Sequence, residues 1–321
     1  MENLGFSGLL NLGNSCYLNA TIQILSHIFE LNNYISLNPI VNNIPDGVLI
    51  SEWNSLYKLM WAQNCTITPN RFVHNIRELS KIKNSMFSDN SQNDAVEYFY
   101  FVIDCIHNSY NLINNETLKK TMYPSINKAI DEYETKNKSI IHTLFTSFIM
   151  TIYINQETNV REFDKIEPSF TIDLSIPNSK IVTLKDCFNE TFKLEIMQDP
   201  WLDDKTSQHK QLTKQTYLCY LPEILVIHLK RWDYKLNKNN VLITFDEIID
   251  ISEYCACIKK EDCRYGLFGI INHQGNVMGG HYFSYIKKQS WYSFDDSTIT
   301  KIEPSNIINH KNYCLFYRKI K

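Results

Sequence analysis

The sequence predicts an α+β fold, with a helical first third followed by a strand-rich remainder. Two observations carry this expectation. Apolar residues recur at helical spacing through roughly the first 110 positions, beginning with Leu18, Ile22, Leu25 and Phe29. Beyond Ile140 the pattern turns to alternation, clearest in Phe170, Ile172, Leu174 and Ile176. At 321 residues and 44% hydrophobic content there is material for a large core. The absence of repeats or low-complexity stretches leads us to expect one domain over 1–321.

Taken in order, the helical elements begin at the polar loop before Cys16 and continue near 51–61, 69–79 and 94–106. Residues 111–138 are rich in Asn and Lys, with little periodicity beyond one short helix, and we read about 113–139 as a variable connection. Strands follow at 148–154, 169–176 and 216–231, interrupted by a helix over Leu184–Phe192. Residues 235–240 read as a hairpin loop. A strand at 265–273 leads through a loop at 274–278 to a second strand opened by His281. A further strand at 291–297 ends in two adjacent carboxylates.

Composition narrows the function classes. A net charge of −3 and a pI near 6.3 leave no nucleic-acid footprint. No apolar run reaches about 18 residues, so no membrane helix is expected. Met1-Glu2-Asn3 lacks the basic start of a signal peptide. Nine cysteines, an odd number without a framework pattern, point to reduced thiols in cytosol or nucleus.

The chemistry concentrates at the two ends of the chain. Asn14 or Ser15 stands where a helix N-cap belongs, which puts Cys16 in the first helical turn. Unpaired N–H groups and the helix dipole there favour a thiolate, the nucleophilic form of cysteine. A buried cysteine acting as a small hydrophobe is the competing reading. His281 follows Gly279-Gly280 and can serve as base. Asp295 or Asp296 can fix the imidazole's tautomer, as the third member of a catalytic triad does. Gly-Gly-His alone carries little weight. The three settings together form a nucleophile, base and orienting group.

These residues are set in recognisable motifs. The stretch 11–23 resembles the cysteine box of the ubiquitin-specific proteases, papain-like cysteine peptidases, with Ser15 where Thr is usual. Residues 265–285 are similar to that family's histidine box, and 291–297 to the segment delivering the third triad residue. Gln92-Asn93-Asp94 resembles its Gln-Gln-Asp motif, 221–232 its central palm strand, and 313–318 its terminal strand. The matches run in family order from residue 8 to residue 318.

The resemblance implies a papain-like fold with a helical thumb (about 1–112), a β-sheet palm and β-stranded fingers (about 140–321). It implies a deubiquitinase that cleaves after the C-terminal glycine of ubiquitin through a Cys16 thioester. His281 would activate the sulfur and protonate the leaving lysine, while Asp295 orients His281 with Asp296 as helper or substitute. Asn11 corresponds to the oxyanion-hole side chain. Gln92, Asp94 and Glu97 would line the channel for ubiquitin's arginine-bearing tail, carboxylates being suited to bidentate pairing. The competing reading makes them a solvated helix start capped by Ser91 or Asn90. Gly279 and Gly280 would keep the channel narrow. Tyr282 would pack on the tail, or else be an ordinary core tyrosine. Ubiquitin and ubiquitinated proteins are the implied partners of a chain expected to act as a monomer. A protease for another modifier such as SUMO, or an inactive ubiquitin-binding scaffold, are the alternatives.

One family feature is missing. Many members carry two Cys-x-x-Cys pairs that hold a structural zinc in the fingers. The corresponding positions here are Tyr153 and Gln156, then Asp203 and Thr206, and the sequence contains no Cys-x-x-Cys. Cys255 and Cys257, with Cys263 nearby, form an isolated Cys-x-Cys that reads as incidental. We therefore expect no metal and no cofactor, with fingers held by hydrophobic packing.

Overall fold

A computed structural model describes residues 3–40, 45–111, 117–276 and 279–320. Parts of the predicted connection (112–116) and of the predicted 274–278 loop (Val277 and Met278) lie outside the described residues, as do Met1 and Glu2. Eight α-helices are described: α1 (Cys16–Ser26), α2 (Phe29–Leu37), α3 (Pro45–Ala62), α4 (Asn70–Ile82), α5 (Ala95–Tyr110), α6 (Pro124–Glu134), α7 (Ile140–Phe145) and α8 (Leu184–Phe192). The first five form the predicted helical region. One boundary differs from expectation. The Leu18-to-Phe29 periodicity is not one helix, because α1 stops at Ser26 and Phe29 opens α2, 39% exposed.

Every residue of α1 is buried, polar ones included, and each polar side chain finds a partner that makes this possible. Thr21 donates to Tyr17 O at 2.9 Å, Gln23 to Ser7 O at 2.8 Å and Ser26 to Gln23 O at 2.9 Å. The helix lies against an eight-stranded sheet, the palm. Its path runs Thr298–Ile302, Trp291–Asp295, Gly279–Lys287, Arg264–Asn276, Asn312–Lys319, Ile224–Leu229 and Ile172–Leu174, with Ile248–Asp250 pairing off the side of Arg264–Asn276. α1 and α5 pack on one face of this sheet within the larger core, while α8 covers a second core on the other.

Several strand limits needed the fold to define them. The strand-rich part is preceded by the short helix α7, capped by Ser139, whose hydroxyl accepts from Ile141 N at 3.2 Å; the strand expected over 148–154 runs Ser147–Asn155. The predicted strand 216–231 is two, Leu212–Tyr220 and Ile224–Leu229, which belong to different sheets. The strand through His273 runs on to Asn276, Gln274 pairing with His281 and Asn276 with Gly279, where a loop was predicted. α8 matches its predicted limits.

The fingers are a four-stranded sheet ordered Arg161–Ser169, Ser147–Asn155, Leu212–Tyr220, Glu195–Ile196, with the hairpin Trp201–Asp203/Gln208–Lys210 at the tip. Packing is only part of what holds this tip. Tyr153 stacks on Phe163 at 4.4 Å, Phe163 meets Trp201 at 5.1 Å, and the Lys210 ammonium sits over Trp201 at 5.7 Å. That ammonium also pairs with Asp203 at 2.8 Å and Glu162 at 2.9 Å. Lys205 N (3.0 Å) and Thr206 Oγ1 (2.9 Å) donate to Asp203 as well, and its carboxyl is held down to about 2, chiefly by the Lys210 hydrogen bond. Two of the zinc-pair positions, Tyr153 and Asp203, are thus occupied by an aromatic stack and an ammonium–carboxylate cluster. Replacing Lys210 with Met keeps the stem but leaves two carboxylates facing each other. Hydrogen exchange at the amides of 161–164 and 201–210 should rise in that variant, with the palm unchanged; unaltered protection would refute the role given to the ammonium.

A chain of buried polar groups ties α5, α6 and α7 together. His107 Nδ1 meets Ser139 Oγ at 2.9 Å and His142 Nε2 at 3.1 Å, and His142 Nδ1 meets Tyr133 Oη at 2.8 Å. Burial, then the neighbouring His107, depresses His142 to about 3; burial likewise takes His27 to about 4. The unfolded chain therefore binds more protons than the folded one below about pH 6.5. Stability should fall as pH drops through that value, each histidine contributing up to about 1.4 kcal/mol per pH unit. Urea midpoints at pH 7 and 5 check this. His142→Gln should show a smaller loss on acidification than the parent.

Candidate active site

Cys16 opens α1, 4% exposed, at the end of a loop whose shape is set by Asn11. Asn11 Oδ1 accepts from Gly13 N (3.0 Å), Ser15 N (3.2 Å) and Ser15 Oγ (3.3 Å), and Asn14 adopts φ +52°, tolerable for an asparagine. Ser15 takes the N-cap position but makes no capping bond; its hydroxyl accepts from Leu12 N at 2.8 Å. The first-turn N–H groups around Cys16 are thus not consumed by a side-chain cap, and the dipole favours negative charge there.

Two neighbouring strands deliver the partners. His281 lies on Gly279–Lys287, Asp295 ends Trp291–Asp295, and the two strands pair antiparallel from Ser284 opposite Phe294. Asp295 Oδ1 stands 2.6 Å from His281 Nε2, which leaves Nδ1 for the sulfur. The Asp295 hydrogen bond, then a hydrogen bond with Cys16, raises His281 to about 10, against a desolvation that works the other way. Both partners thus favour the charged form of the imidazole. Cys16, His281 and Asp295, from the two ends of the chain, meet in one place.

Asp296 has a different role from its neighbour. It occupies the left-handed region (φ +47°) in the turn between Asp295 and Thr298, and its carboxylate faces the cysteine loop. Oδ2 accepts from Asn11 Nδ2 at 2.9 Å and Oδ1 from Asn19 Nδ2 at 2.7 Å, while its carbonyl accepts from Leu9 N at 2.8 Å. One Asn11 N–H is spent on Asp296, which fixes the plane of the amide that carries the second. The turn comes so close that a Cβ on Gly8 would lie 2.4 Å from Ser297 O. Asn19 is a member of this site that sequence reasoning misses. The signal available was its spacing, one turn beyond Cys16 on the same helix face.

The proposed channel residues divide. Gln92 reaches across from the thumb, its Oε1 accepting from Gly280 N at 3.0 Å and its Nε2 donating to Gly280 O at 3.4 Å. Asp94, not Ser91 or Asn90, is the N-cap of α5: Oδ1 accepts from Val96 N (2.7 Å) and Glu97 N (3.1 Å). Its Oδ2 accepts from the hydroxyls of Tyr282 (2.9 Å) and Tyr313 (2.7 Å). Tyr282 is 8% exposed with its ring 4.5 Å from His273, under the channel floor rather than in it. Glu97 is exposed on the first turn of α5. A Cβ on Gly280 would meet His273 Nε2 at 2.2 Å, whereas one on Gly279 would meet nothing within 4 Å. Only Gly280 is sterically required by its neighbours. His273 is the residue sequence reasoning missed here. Lys238 donates to its Nδ1 (2.8 Å), and burial holds the ring neutral, down at about 4.

Among the described residues, the one group with three converging metal-ligand atoms is His281, Asp295 and Asp296, within 4.8 Å of one another. Each is already engaged, His281 with Asp295 and Asp296 with two asparagine amides.

Comparison with known proteins bears on the family and the fold. Residues 7–317 match the family model described as "Ubiquitin carboxyl-terminal hydrolase". The chain is 27% identical over 376 residues to ubiquitin carboxyl-terminal hydrolase 4 of Eremothecium gossypii, covering 100% of this chain and 43% of that protein. It is 27% identical over 333 residues to ubiquitin carboxyl-terminal hydrolase Usp2 of Drosophila melanogaster, covering 98% and 35%. The chain thus spans less than half the length of these curated relatives. Its fold is similar to that in the "Structure of the SAGA Ubp8/Sgf11/Sus1/Sgf73 DUB module bound to ubiquitin aldehyde", with a TM-score of 0.80 at 23% identity, covering 100% of this chain and 70% of that one. With its motifs, fold and matched length in accord, this chain belongs to the ubiquitin carboxyl-terminal hydrolase family.

Proposed function

We propose that this chain is a cysteine-type deubiquitinase, hydrolysing the isopeptide or peptide bond that follows the C-terminal glycine of ubiquitin. The observation that carries the reading is the hydrogen-bonded series Cys16–His281–Asp295 beside the cleft bordered by Gln92 and Gly280. Cys16 attacks the carbonyl, the oxyanion is met by the second Asn11 N–H with first-turn backbone N–H groups, and His281 protonates the departing lysine amine. Water then hydrolyses the thioester with His281 as base. Gln92, Glu97 and the Gly280 backbone border the path of the incoming tail. The proposed partners are ubiquitin and ubiquitinated proteins; a solved relative is titled as bound to ubiquitin aldehyde. That relative belongs to a multi-subunit module, so the expectation of a monomer draws no support from it. Nine free thiols support work in the cytosol or nucleus.

Matched fluorogenic conjugates test the substrate. Ubiquitin conjugate should be hydrolysed at least tenfold faster than SUMO conjugate, and a ubiquitin bearing a C-terminal electrophile should attach covalently to the parent chain but not to Cys16→Ala. Faster turnover of the SUMO conjugate would transfer the substrate to that modifier. Capture without turnover of either conjugate would leave a binding scaffold.

Asn11→Ala removes a donor aimed at the developing charge, and kcat should fall about a hundredfold or more with KM little changed. Asp296→Asn, which frees the Asn11 amide to rotate, should lower kcat in the same sense by a smaller factor. A rise in KM at constant kcat in both variants would mean that these residues shape the loop and do not stabilise the oxyanion.

A further inference from the structure

On the face of the palm covered by α8, away from the triad, a second group of thiols gathers where the chain enters the strand Arg264–Asn276. Cys255 follows the 3-10 turn Ser252–Tyr254, and Cys263 ends the turn Lys260–Cys263. The peptide groups of Ile251 bring them together. Cys255 Sγ donates to Ile251 O at 3.3 Å, and Ile251 N donates to Cys263 O at 3.1 Å. Cys263 Sγ donates in turn to Lys259 O at 3.4 Å, and each thiol is the other's foremost electrostatic neighbour. Cys263 is fully buried, whereas Cys255 retains partial exposure.

Nearby Cys257 is turned away from the pair by a bend in which its own backbone is left-handed (φ +67°). Cys255 packs on the core beneath α8, while Cys257 turns to the small cluster around Phe148 and Cys219. No third ligand atom of a described His, Cys, Asp or Glu converges on the pair, so the arrangement is a dithiol and not a metal cage. Cys255 and Cys263 are also eight positions apart, so joining them closes a small ring over the entry to the central palm strand.

We propose that Cys255 and Cys263 form a reversible intramolecular disulfide, giving this chain a redox-responsive site separate from its catalytic cysteine. With a hydroperoxide as oxidant, one sulfur of the pair attacks the peroxide oxygen, giving a sulfenic acid and, from hydrogen peroxide, water. The other sulfur then displaces the hydroxyl as a second water and the S–S bond forms. Two thiols and one peroxide become one disulfide and two waters. A dithiol reductant reverses the step by exchange. The ring steadies the segment whose Asp250 pairs with Arg264 at the start of the strand leading towards His281.

The chain itself supplies a clean test. Lys259 and Lys260 lie between the two cysteines, so trypsin separates peptide 239–259 from peptide 261–264. Reduced protein would be titrated with hydrogen peroxide, alkylated with iodoacetamide, digested without reductant and mapped by mass. A joined pair of these peptides, about 2 Da below their summed thiol masses and lost on treatment with dithiothreitol, is the expected product. It should form in the parent and in Cys257→Ser, and fail to form in Cys255→Ser and Cys263→Ser. Formation through Cys257 in the Cys255→Ser chain overturns the assignment. So does separate alkylation of Cys255 and Cys263 at a peroxide dose that has already halved alkylation of Cys16. The oxidised protein should melt about 2–5 °C above the reduced one. A melting temperature at or below the reduced value overturns the steadying role.

Discussion

The Asp296 carboxylate is the contact on which the geometry of this molecule turns. One oxygen holds Asn11, in the loop before the nucleophile, and the other holds Asn19, one turn after it. The sulfur therefore sits between two points fixed to the same two-residue turn that begins with Asp295's strand. Because Asp295 holds His281, the side chains of Cys16, His281 and Asp295 share one frame made from segments nearly 300 positions apart. Acceptors shared between two amide donors in a partly buried setting give direction as well as energy, which apolar packing of α1 on the sheet could not supply.

A second brace crosses the cleft. Asp94 caps α5 with one oxygen and takes two tyrosine hydroxyls from the palm with the other, so a single carboxylate joins thumb to palm. Burial and the neighbouring carboxylate push the Tyr282 and Tyr313 hydroxyls far above the usual phenol range, so they remain donors. Gln92 then completes the span at Gly280 with weaker, longer bonds. The tyrosine-capped brace keeps thumb and palm in register, while the Gln92 amide pair stays exposed at the cleft.

At the far end of the molecule a lysine draws two carboxylates and an indole together. Lys210 is a compact cation with three donors, here set between two carboxylates and over an indole. Its charge is held without thiolates, which suits a fingertip lacking Cys-x-x-Cys. Apolar packing alone, the expectation from sequence, undercounts the polar contacts because Glu162, Asp203 and Lys210 lie on three different strands. No local pattern announces that they will meet.

The sequence by itself determined what depends on local spacing. It gave the class of fold and the helix over Leu184–Phe192, whose capping box Thr183/Asp186 is a short-range code. It gave Cys16 at a helix start, and a histidine and carboxylate at strand ends, through the order of their motifs. The tertiary structure decided what depends on which groups come to lie opposite one another. It separated Asp295 from Asp296 by role, because the left-handed turn at Asp296 aims its carboxylate at Asn11 and Asn19 while Asp295 stays on the strand beside His281. It recruited Asn19 and His273, and it turned Asp94 from a surface acid into a brace. It showed Gly280, not Gly279, to be the position that His273 crowds. Hydrophobic periodicity is a property of neighbours along the chain and survives in the sequence. Hydrogen-bond partners are chosen across it, by a packing that brings residue 11 to residue 296.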